Sequence, residues 1–307
     1  MHKILPDGVW PTMLTPFTDD NRIDYGSLEE LIEWYIGRGV TGLFAVCQSS
    51  EMFALSLEER VNLARFVADK ARKRVPVIAS GHVADSPADQ LDEIRRIQAT
   101  GIDAFVLVTN RLGAVAENED ACKGRIHTIL DRLPDTEFGL YECPYPYKRL
   151  LSPELLRWCA LTGRFSFLKD TSCDVGEIGS KLAAIQGTGM KLYNANAATL
   201  LASLRLGGAG FSGVLANFFP ELIVRLMDVW KTDPDEAEKL QNMIGAASLI
   251  ELQHYPVNAK YFLQLEGLGL STFSRTKAAS GLRPNHKMEI EQMRSLYHMI
   301  QSNFLEE

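Results

Sequence analysis

Residues 137–172 read EFGLYECPYPYKRLLSPELLRWCALTGRFSFLKDTS, and their pattern decides the fold. The run EFGLYECP (137–144) is short, apolar and closed by proline, as expected of a fully buried strand. SPELLRWCALTG (152–163) opens on Ser-Pro-Glu and stops at glycine, which are helix start and stop signals. RFSFLKDTS (164–172) then returns to the strand pattern. A strand, a covering helix and a second strand make a βαβ unit, whose strands run parallel.

The same alternation extends in both directions. Upstream runs are GVWPTMLTPF (8–17), GVTGLFAV (39–46), VPVIAS (75–80) and IDAFVLVT (102–109); downstream runs are MKLYNAN (190–196) and GAGFSGVLA (208–216). Helical patterns separate them, several with a capping residue and early acids, such as Ser56 ahead of Glu58 and Glu59. Eight such units predict an α/β fold, a TIM (β/α)8 barrel; an open doubly wound sheet would have fewer strands and a glycine-rich phosphate fingerprint. Beyond residue 232 the strand signal stops and three helical patterns remain. The expected organisation is a catalytic barrel over 1–232 and a C-terminal three-helix extension over 233–307. TNRLGAVAEN (109–118), after the fourth strand, is the longest predicted loop.

Composition narrows the function. The chain has 307 residues, 46% hydrophobic and 23% charged, with 32 Lys and Arg against 39 Asp and Glu, for a formal charge of -7. A chain this long buries a core without disulfides or metals, and its acidic balance disfavours nucleic acid or an anionic membrane surface. No signal-peptide pattern or long apolar segment is present, so a cytoplasmic location is expected. Cys47, Cys122, Cys143, Cys159 and Cys173 are odd in number and spread out, as reduced thiols would be. Cys47, Cys143, Cys173 and His82 fall near predicted strand ends, but small buried thiols explain the cysteines without a metal, and no metal or cofactor is expected.

Barrel enzymes work at the C-terminal ends of their strands. Those ends carry Cys47 to Glu51, Ser80 to His82, Thr109, Tyr141 to Cys143, Lys169 to Cys173, Asn194 to Asn196 and Ser212 to Val214. A lysine inside a strand is costly to bury as a cation, and desolvation lowers its pKa until the amine is a nucleophile toward carbonyls. Spacing alone leaves open a lysine paired with Asp170 or another acid, or one snorkelling to the mouth. Tyr141, on the adjacent strand, can move protons to and from an imine, or be a core aromatic with a satisfied hydroxyl. Backbone N–H groups in the turn Gln48-Ser49-Ser50-Glu51 can hold a carboxylate, as can those of many strand-to-helix loops.

Taken together, the motifs resemble the dihydrodipicolinate synthase and N-acetylneuraminate lyase family of class I pyruvate aldolases. The similarity covers nearly the whole chain. GVWPTMLTPF resembles the family's G-x-x-x-A-x-x-T-P-F, QSSE its T/S-T-G-E, YECP its Y-N-x-P and FLKDTS its G-x-K-[DE]-[ST]-[ST]. GGAGFSGVLANFFP, YPVNAKYFLQLEGL and GLRPN resemble later family segments. The resemblance implies Lys169 as the imine-forming lysine, Tyr141 as the proton-transfer phenol, and the Ser49 and Ser50 amides as the cradle for a 2-oxo acid carboxylate. Gln48, Thr171, Asn194, Ser212 and Gly213 complete the expected substrate-binding set, with Asn110, Arg111, Glu142 and Asn196 as further polar groups for the variable end. It also implies a homotetramer, a dimer of dimers, with Tyr255, Tyr261 and Phe262 as subunit contacts or core residues.

Departures from the family narrow the substrate. Gln48 and Leu112 stand where the synthases complete a hydroxyl relay to the tyrosine. Pro146 stands at their semialdehyde-binding arginine, with Lys148 and Arg149 just after. Ala197 and Ala198 replace the Asp-Glu pair of the sialic acid lyases. The expected function is therefore a lyase or aldolase acting on a pyruvate-type 2-oxo acid and an aldehyde, through a 4-hydroxy-2-oxo acid such as a 2-keto-3-deoxy sugar acid. The alternatives are a Schiff-base dehydratase of a deoxy sugar acid and a non-catalytic keto-acid-binding protein.

Overall fold

The computed structural model describes residues 5–304; His2 and the outer limits of the expected division, 1 and 307, lie outside them. The described residues form eight strands: β1 (Gly8–Val9), β2 (Leu43–Val46), β3 (Val77–Ala79), β4 (Ala104–Val108), β5 (Phe138–Tyr141), β6 (Phe165–Asp170), β7 (Lys191–Asn194) and β8 (Gly210–Phe211). They pair in parallel in the order β1-β8-β7-β6-β5-β4-β3-β2. The two ends of that order meet where Thr12 bridges Phe44 in parallel, with the Met13 N–H donating to the Phe44 carbonyl at 3.0 Å. The result is a TIM barrel.

Each strand is shorter than its apolar run, most of all β1 and β8. Pro11 cannot donate to a ladder, so the first run leaves the sheet after Val9 and only touches it again at Thr12. In the eighth run Gly210 sits at φ +149 and passes so close to β1 that an added Cβ would lie 2.0 Å from the Gly8 carbonyl oxygen. The predicted loop over 109–118 is corrected in its first part: Thr109–Leu112 form one helical turn.

Around the sheet lie α1 (Tyr25–Gly37), α2 (Leu57–Ala71), α3 (Pro87–Gln98), α4 (Thr109–Leu112), α5 (Glu119–Arg132), α6 (Pro153–Leu161), α7 (Val175–Ile185), α8 (Leu200–Arg205) and α9 (Pro220–Val229). Local sequence chemistry starts them. Ser56 and Glu59 form a capping box at α2, and Ser152 caps α6 by accepting from the Leu155 N–H. Three further helices follow: α10 (Pro234–Ala247), α11 (Val257–Leu265) and α12 (Pro284–Phe304). None of the described helices is long and apolar enough to cross a membrane.

Strand alternation fills the barrel axis with aromatic rings. Phe167 stacks on Tyr193 at 4.4 Å between centroids, while Trp10 and Phe44 meet Phe167 edge-on at 5.6 and 6.2 Å. Two residues above Phe167 the same face of β6 presents Lys169. The C-terminal segment is pinned to this end of the barrel through Glu51. Its carboxylate takes a salt bridge from the buried Lys260 at 3.3 Å and hydrogen bonds from the Ser274 and Thr276 hydroxyls at 2.9 and 3.0 Å. The short turn Ser248–Leu252 packs against Val214–Asn217, which follows β8.

Gly210→Ala tests the seam between β1 and β8. Strained φ and overpacking each cost on the order of 1–3 kcal/mol, so the thermal midpoint is expected to fall by roughly 5–10 °C. An unchanged midpoint would show that the seam does not need glycine.

Candidate active site

In the β5–β6 ladder Tyr141 lies directly opposite Lys169. Both side chains point into the barrel, and the Lys169 amine stands 4.6 Å from the centre of the Tyr141 ring and 5.9 Å from that of Phe44. Lys169 is only 4% exposed. Burial pushes its amine down to about 8, against the opposing pull of Cys47, Cys143 and Glu251.

Pairing between Lys169 and Asp170, open from the sequence, does not occur. Successive strand residues face opposite ways, so Asp170 points out of the barrel and meets Lys181 of α7 at 2.6 Å. Glu142 reaches the same amine at 2.6 Å, and all three side chains are completely buried. Glu142 also accepts from the Leu151 and Thr171 N–H groups at 2.9 and 3.1 Å, while the Thr171 hydroxyl donates to the Glu142 carbonyl at 2.6 Å. The side chains of Glu142 and Thr171 thus brace the ends of β5 and β6. Among the described residues Lys169 forms no ion pair, unlike Lys181 and Lys260.

The Tyr141 phenol is held well above its ordinary pKa by burial and by the neighbouring thiols of Cys143 and Cys47. It shares a hydrogen bond with Cys143, whose thiol in turn donates to the Gln48 side-chain oxygen at 3.3 Å. A chain from phenol through thiol to amide thus ends on Gln48, one of the two positions at which the sequence departs from the family's hydroxyl relay. Burial keeps the Cys143 and Cys47 thiols above their usual range, so both stay protonated near neutrality.

The turn after β2 is built around Ser50. Its hydroxyl bridges the Cys47 N–H and carbonyl, both at 2.7 Å, and its carbonyl accepts from the Thr15 hydroxyl at 2.8 Å. Glu51 closes the turn in the left-handed region at φ 62. The Ser49 and Ser50 N–H groups face the Cys47 sulfur, two adjacent donors converging on one spot in the fashion of an anion-binding nest. The Ser49 hydroxyl donates to Thr12 at 3.1 Å. At the end of β8 the Ser212 hydroxyl is buried without a partner. Gly213 leaves no room for a side chain, since a Cβ there would meet the Ala195 carbonyl oxygen at 2.3 Å.

Other polar strand-end residues are spent on loop structure. Asn194 donates to Thr199 at 2.9 Å and accepts from the Asn196 N–H at 2.8 Å. Asn110 donates to the carbonyls of Cys143, Tyr145 and Tyr147, clamping the loop after β5. Lys148 donates to the Thr171 carbonyl at 2.7 Å, and Arg149 to those of Ala114 and Glu117 at 2.5 and 2.9 Å. Among the described residues no cluster of His, Cys, Asp or Glu is arranged to hold a metal ion.

Above the nest opens a cavity of about 530 Å³, lined by Gln48, Ser49, Phe53, Tyr145 and Tyr255, with the exposed Lys277 at its rim. A larger hollow of about 780 Å³ lies outside the barrel between α3 and α5 and is lined by none of the groups around Lys169. Tyr255, a subunit contact or core residue by sequence, instead borders the cavity, with its hydroxyl accepting from Asn217 at 3.1 Å. Glu251, in the Ser248–Leu252 turn, was also missed. Its carboxyl acts on the Lys169 amine although the helical pattern around it shows nothing but an exposed acid.

Residues 5–296 match the model of the Dihydrodipicolinate synthetase family. A 4-hydroxy-tetrahydrodipicolinate synthase of Shewanella denitrificans is 26% identical over 286 residues, covering 92% of this chain and 95% of its own. Among solved structures, YagE, a prophage protein of the dihydrodipicolinic acid synthase family from E. coli K12 in complex with pyruvate, superimposes with a TM-score of 0.85 at 24% identity, over 96% of this chain and 98% of its own. CdNal from Clostridium difficile, in complex with mannosamine, superimposes with a TM-score of 0.85 at 17% identity, over 95% and 99%. At these identities the superpositions speak to the fold.

Lys181→Met tests the brace behind the site. It would leave Glu142 and Asp170 buried without their cation, so a loss of about 3–5 kcal/mol is expected, read as a lower denaturant midpoint. Wild-type stability would show that the ion triad does not hold the strand ends.

Proposed function

Because this chain belongs to the dihydrodipicolinate synthetase family, we propose that it is a class I lyase in which Lys169 forms a Schiff base with a pyruvate-type 2-oxo acid. It is an enzyme of a family whose named relatives are synthases. The observation that carries the imine reading is the Lys169 amine itself: buried, without an ion-pair partner among the described residues, and set against the ring of Tyr141.

The chemistry follows from that arrangement. The neutral amine attacks the carbonyl carbon of the 2-oxo acid, whose carboxylate sits on the Ser49 and Ser50 N–H groups beside the free Ser212 hydroxyl. Tyr141 gives a proton to the carbinolamine oxygen, water leaves, and an iminium forms. In a bound 4-hydroxy-2-oxo acid the Tyr141 phenolate left by that step takes the 4-hydroxyl proton, the C3–C4 bond breaks, and its electron pair flows to the iminium nitrogen. An aldehyde departs and an enamine stays on Lys169. Tyr141 gives that proton to C3, which regenerates the imine of the 2-oxo acid, and water releases it; the reverse sequence is condensation.

We assign the aldehyde half to a polyhydroxylated fragment, so that the substrate class is a 2-keto-3-deoxy sugar acid. Support comes from the Gln48 amide and Tyr255 hydroxyl at the cavity, and from Lys148 and Arg149, which are engaged by backbone carbonyls rather than free to grip a second carboxylate. Thr171, Asn194 and Gly213 then serve the site as supports of its walls. The proposal includes a homotetramer, a dimer of dimers; exposed Met288, Leu296 and Met299 along α12 offer apolar surface for it.

The test is pyruvate followed by borohydride, read by intact mass and peptide mapping. Wild type is expected to gain a pyruvyl adduct on the Lys169 peptide, and Lys169→Ala to gain none. Because only the neutral amine attacks, the trapping rate should rise with pH through about 8. No adduct on folded wild type would overturn the imine reading. Incubation with a 2-keto-3-deoxy sugar acid should yield pyruvate and an aldehyde; a dehydrated keto acid would overturn the cleavage assignment. Sedimentation equilibrium should give four times the chain mass, and a monomer at micromolar concentration would remove the tetramer.

A further inference from the structure

The cavity above the Ser49 and Ser50 amides has a wall that the imine chemistry does not use. Phe53 comes from the turn after β2 and Tyr145 from the loop after β5, and their rings meet edge to face with centres 5.0 Å apart. Ala54, Tyr255 and Pro256 continue the apolar lining, while Gln48, Ser49 and Thr276 supply polar atoms. Tyr145 keeps 54% of its surface open. A single exposed ring is ordinary on a protein surface, but a ring continuous with other apolar groups in a concave site is surface for a ligand to cover.

Both rings stand on anchored backbone. The Tyr145 carbonyl accepts from the Asn110 side-chain amide at 2.8 Å and from the Cys143 thiol at 3.3 Å. Phe53 belongs to the turn Met52–Ala54, in which the Ala54 N–H donates to the Glu51 carbonyl at 2.7 Å. The Arg111 guanidinium lies over the Phe53 ring at 5.6 Å and is itself tied to Asp85 at 3.1 Å. Groups already held in place lose little freedom when a ligand covers them, so more of the contact energy goes into affinity.

A polyhydroxylated chain has two kinds of surface, hydroxyls that need hydrogen bonds and C–H groups that gain from apolar partners. The cavity offers both. The Gln48 side-chain oxygen is taken by the Cys143 thiol, which leaves the amide NH2 to donate to a hydroxyl. Ser49 joins the same cavity to the nest assigned to the 2-oxo acid carboxylate. Resting on the substrate class assigned above, we propose that Tyr145 and Phe53 are specificity-determining residues: their rings cover the C–H groups of the aldehyde half while Gln48 binds its hydroxyls. Pyruvate, which has no aldehyde half, does not use them.

The experiment compares cleavage of a six-carbon 2-keto-3-deoxy sugar acid with borohydride trapping of pyruvate on the same variants. Tyr145→Ala should raise KM for the sugar acid roughly tenfold with kcat within about twofold of wild type, since it removes contacts made equally in the ground and transition states. The pyruvate concentration that half-saturates trapping should stay at the wild-type value. Tyr145→Phe keeps the ring and should hold KM within about twofold of wild type, whereas Phe53→Leu should raise it in the direction of Tyr145→Ala. An unchanged sugar-acid KM in Tyr145→Ala would overturn this assignment alone, as would an equal shift for pyruvate, the mark of a general loss of site structure. Tyr145→Phe as impaired as Tyr145→Ala would overturn it too, by moving the effect from the ring to the hydroxyl. Wild type without a pyruvyl adduct would overturn the imine reading, and wild type with an adduct but no sugar-acid cleavage would overturn the substrate class; this assignment falls with either.

Discussion

An amine without a counter-ion can sit on the axis of this barrel only because the next carboxylate is sent to the other side of the sheet. Strand geometry does this: Lys169 points inward among Phe44 and Tyr141, while Asp170 points outward to Lys181. An acid on the same face would favour the charged ammonium and remove its nucleophilicity. The outward side has the opposite problem, two carboxylates for one ammonium. Backbone and hydroxyl donors meet the remainder, with Leu151 and Thr171 serving Glu142 and the Ser172 N–H and hydroxyl serving Asp170 at 3.0 and 2.7 Å. Those same bonds lock the ends of β5 and β6, so the arrangement that empties the axis of acids also fixes Tyr141 against Lys169.

Beyond the strands, the site is assembled by residues that bring distant segments together. Asn110 clamps the loop carrying Cys143, and Cys143 joins the phenol of β5 to the amide after β2. A thiol is a weaker hydrogen-bond donor than a hydroxyl, and here burial keeps it protonated, so this chain of contacts orients Tyr141 more readily than it drains protons from it. Glu51 ties in the C-terminal segment by anchoring Lys260, Ser274 and Thr276 beside the turn whose Ser49 and Ser50 amides are proposed to hold the carboxylate.

The barrel was legible because each strand is buried on both faces and therefore nearly all apolar, a signal that needs no tertiary knowledge. Lys169 stood out as the exception inside such a run, and Tyr141 as its neighbour on the next strand. Strand lengths at β1 and β8 were not legible, since Pro11 and Gly210 set them through a ladder that forms only on closure. The roles of Glu142, Asn110 and Asn194 were misread for a related reason. A polar residue at a strand end looks alike whether it faces the mouth or braces a loop, and the choice depends on partners such as Lys181 that lie one element away. Glu251 and Tyr255 were invisible because a helical segment remote in sequence gives no sign that it will fold over a barrel mouth.

These two layers of the site answer to different physical demands. The imine chemistry proposed for Lys169 needs distances held to fractions of an ångström, and its two groups stand on the paired, fully buried strands β5 and β6. The groups that depart from the family pattern sit elsewhere, with Gln48 after β2, Leu112 in the turn after β4, Pro146 after β5 and Ala197 and Ala198 after β7. Loops tolerate such exchange because few core contacts depend on them. A change of second substrate can therefore proceed in the rim while the ladder beneath keeps Lys169 and Tyr141 in register.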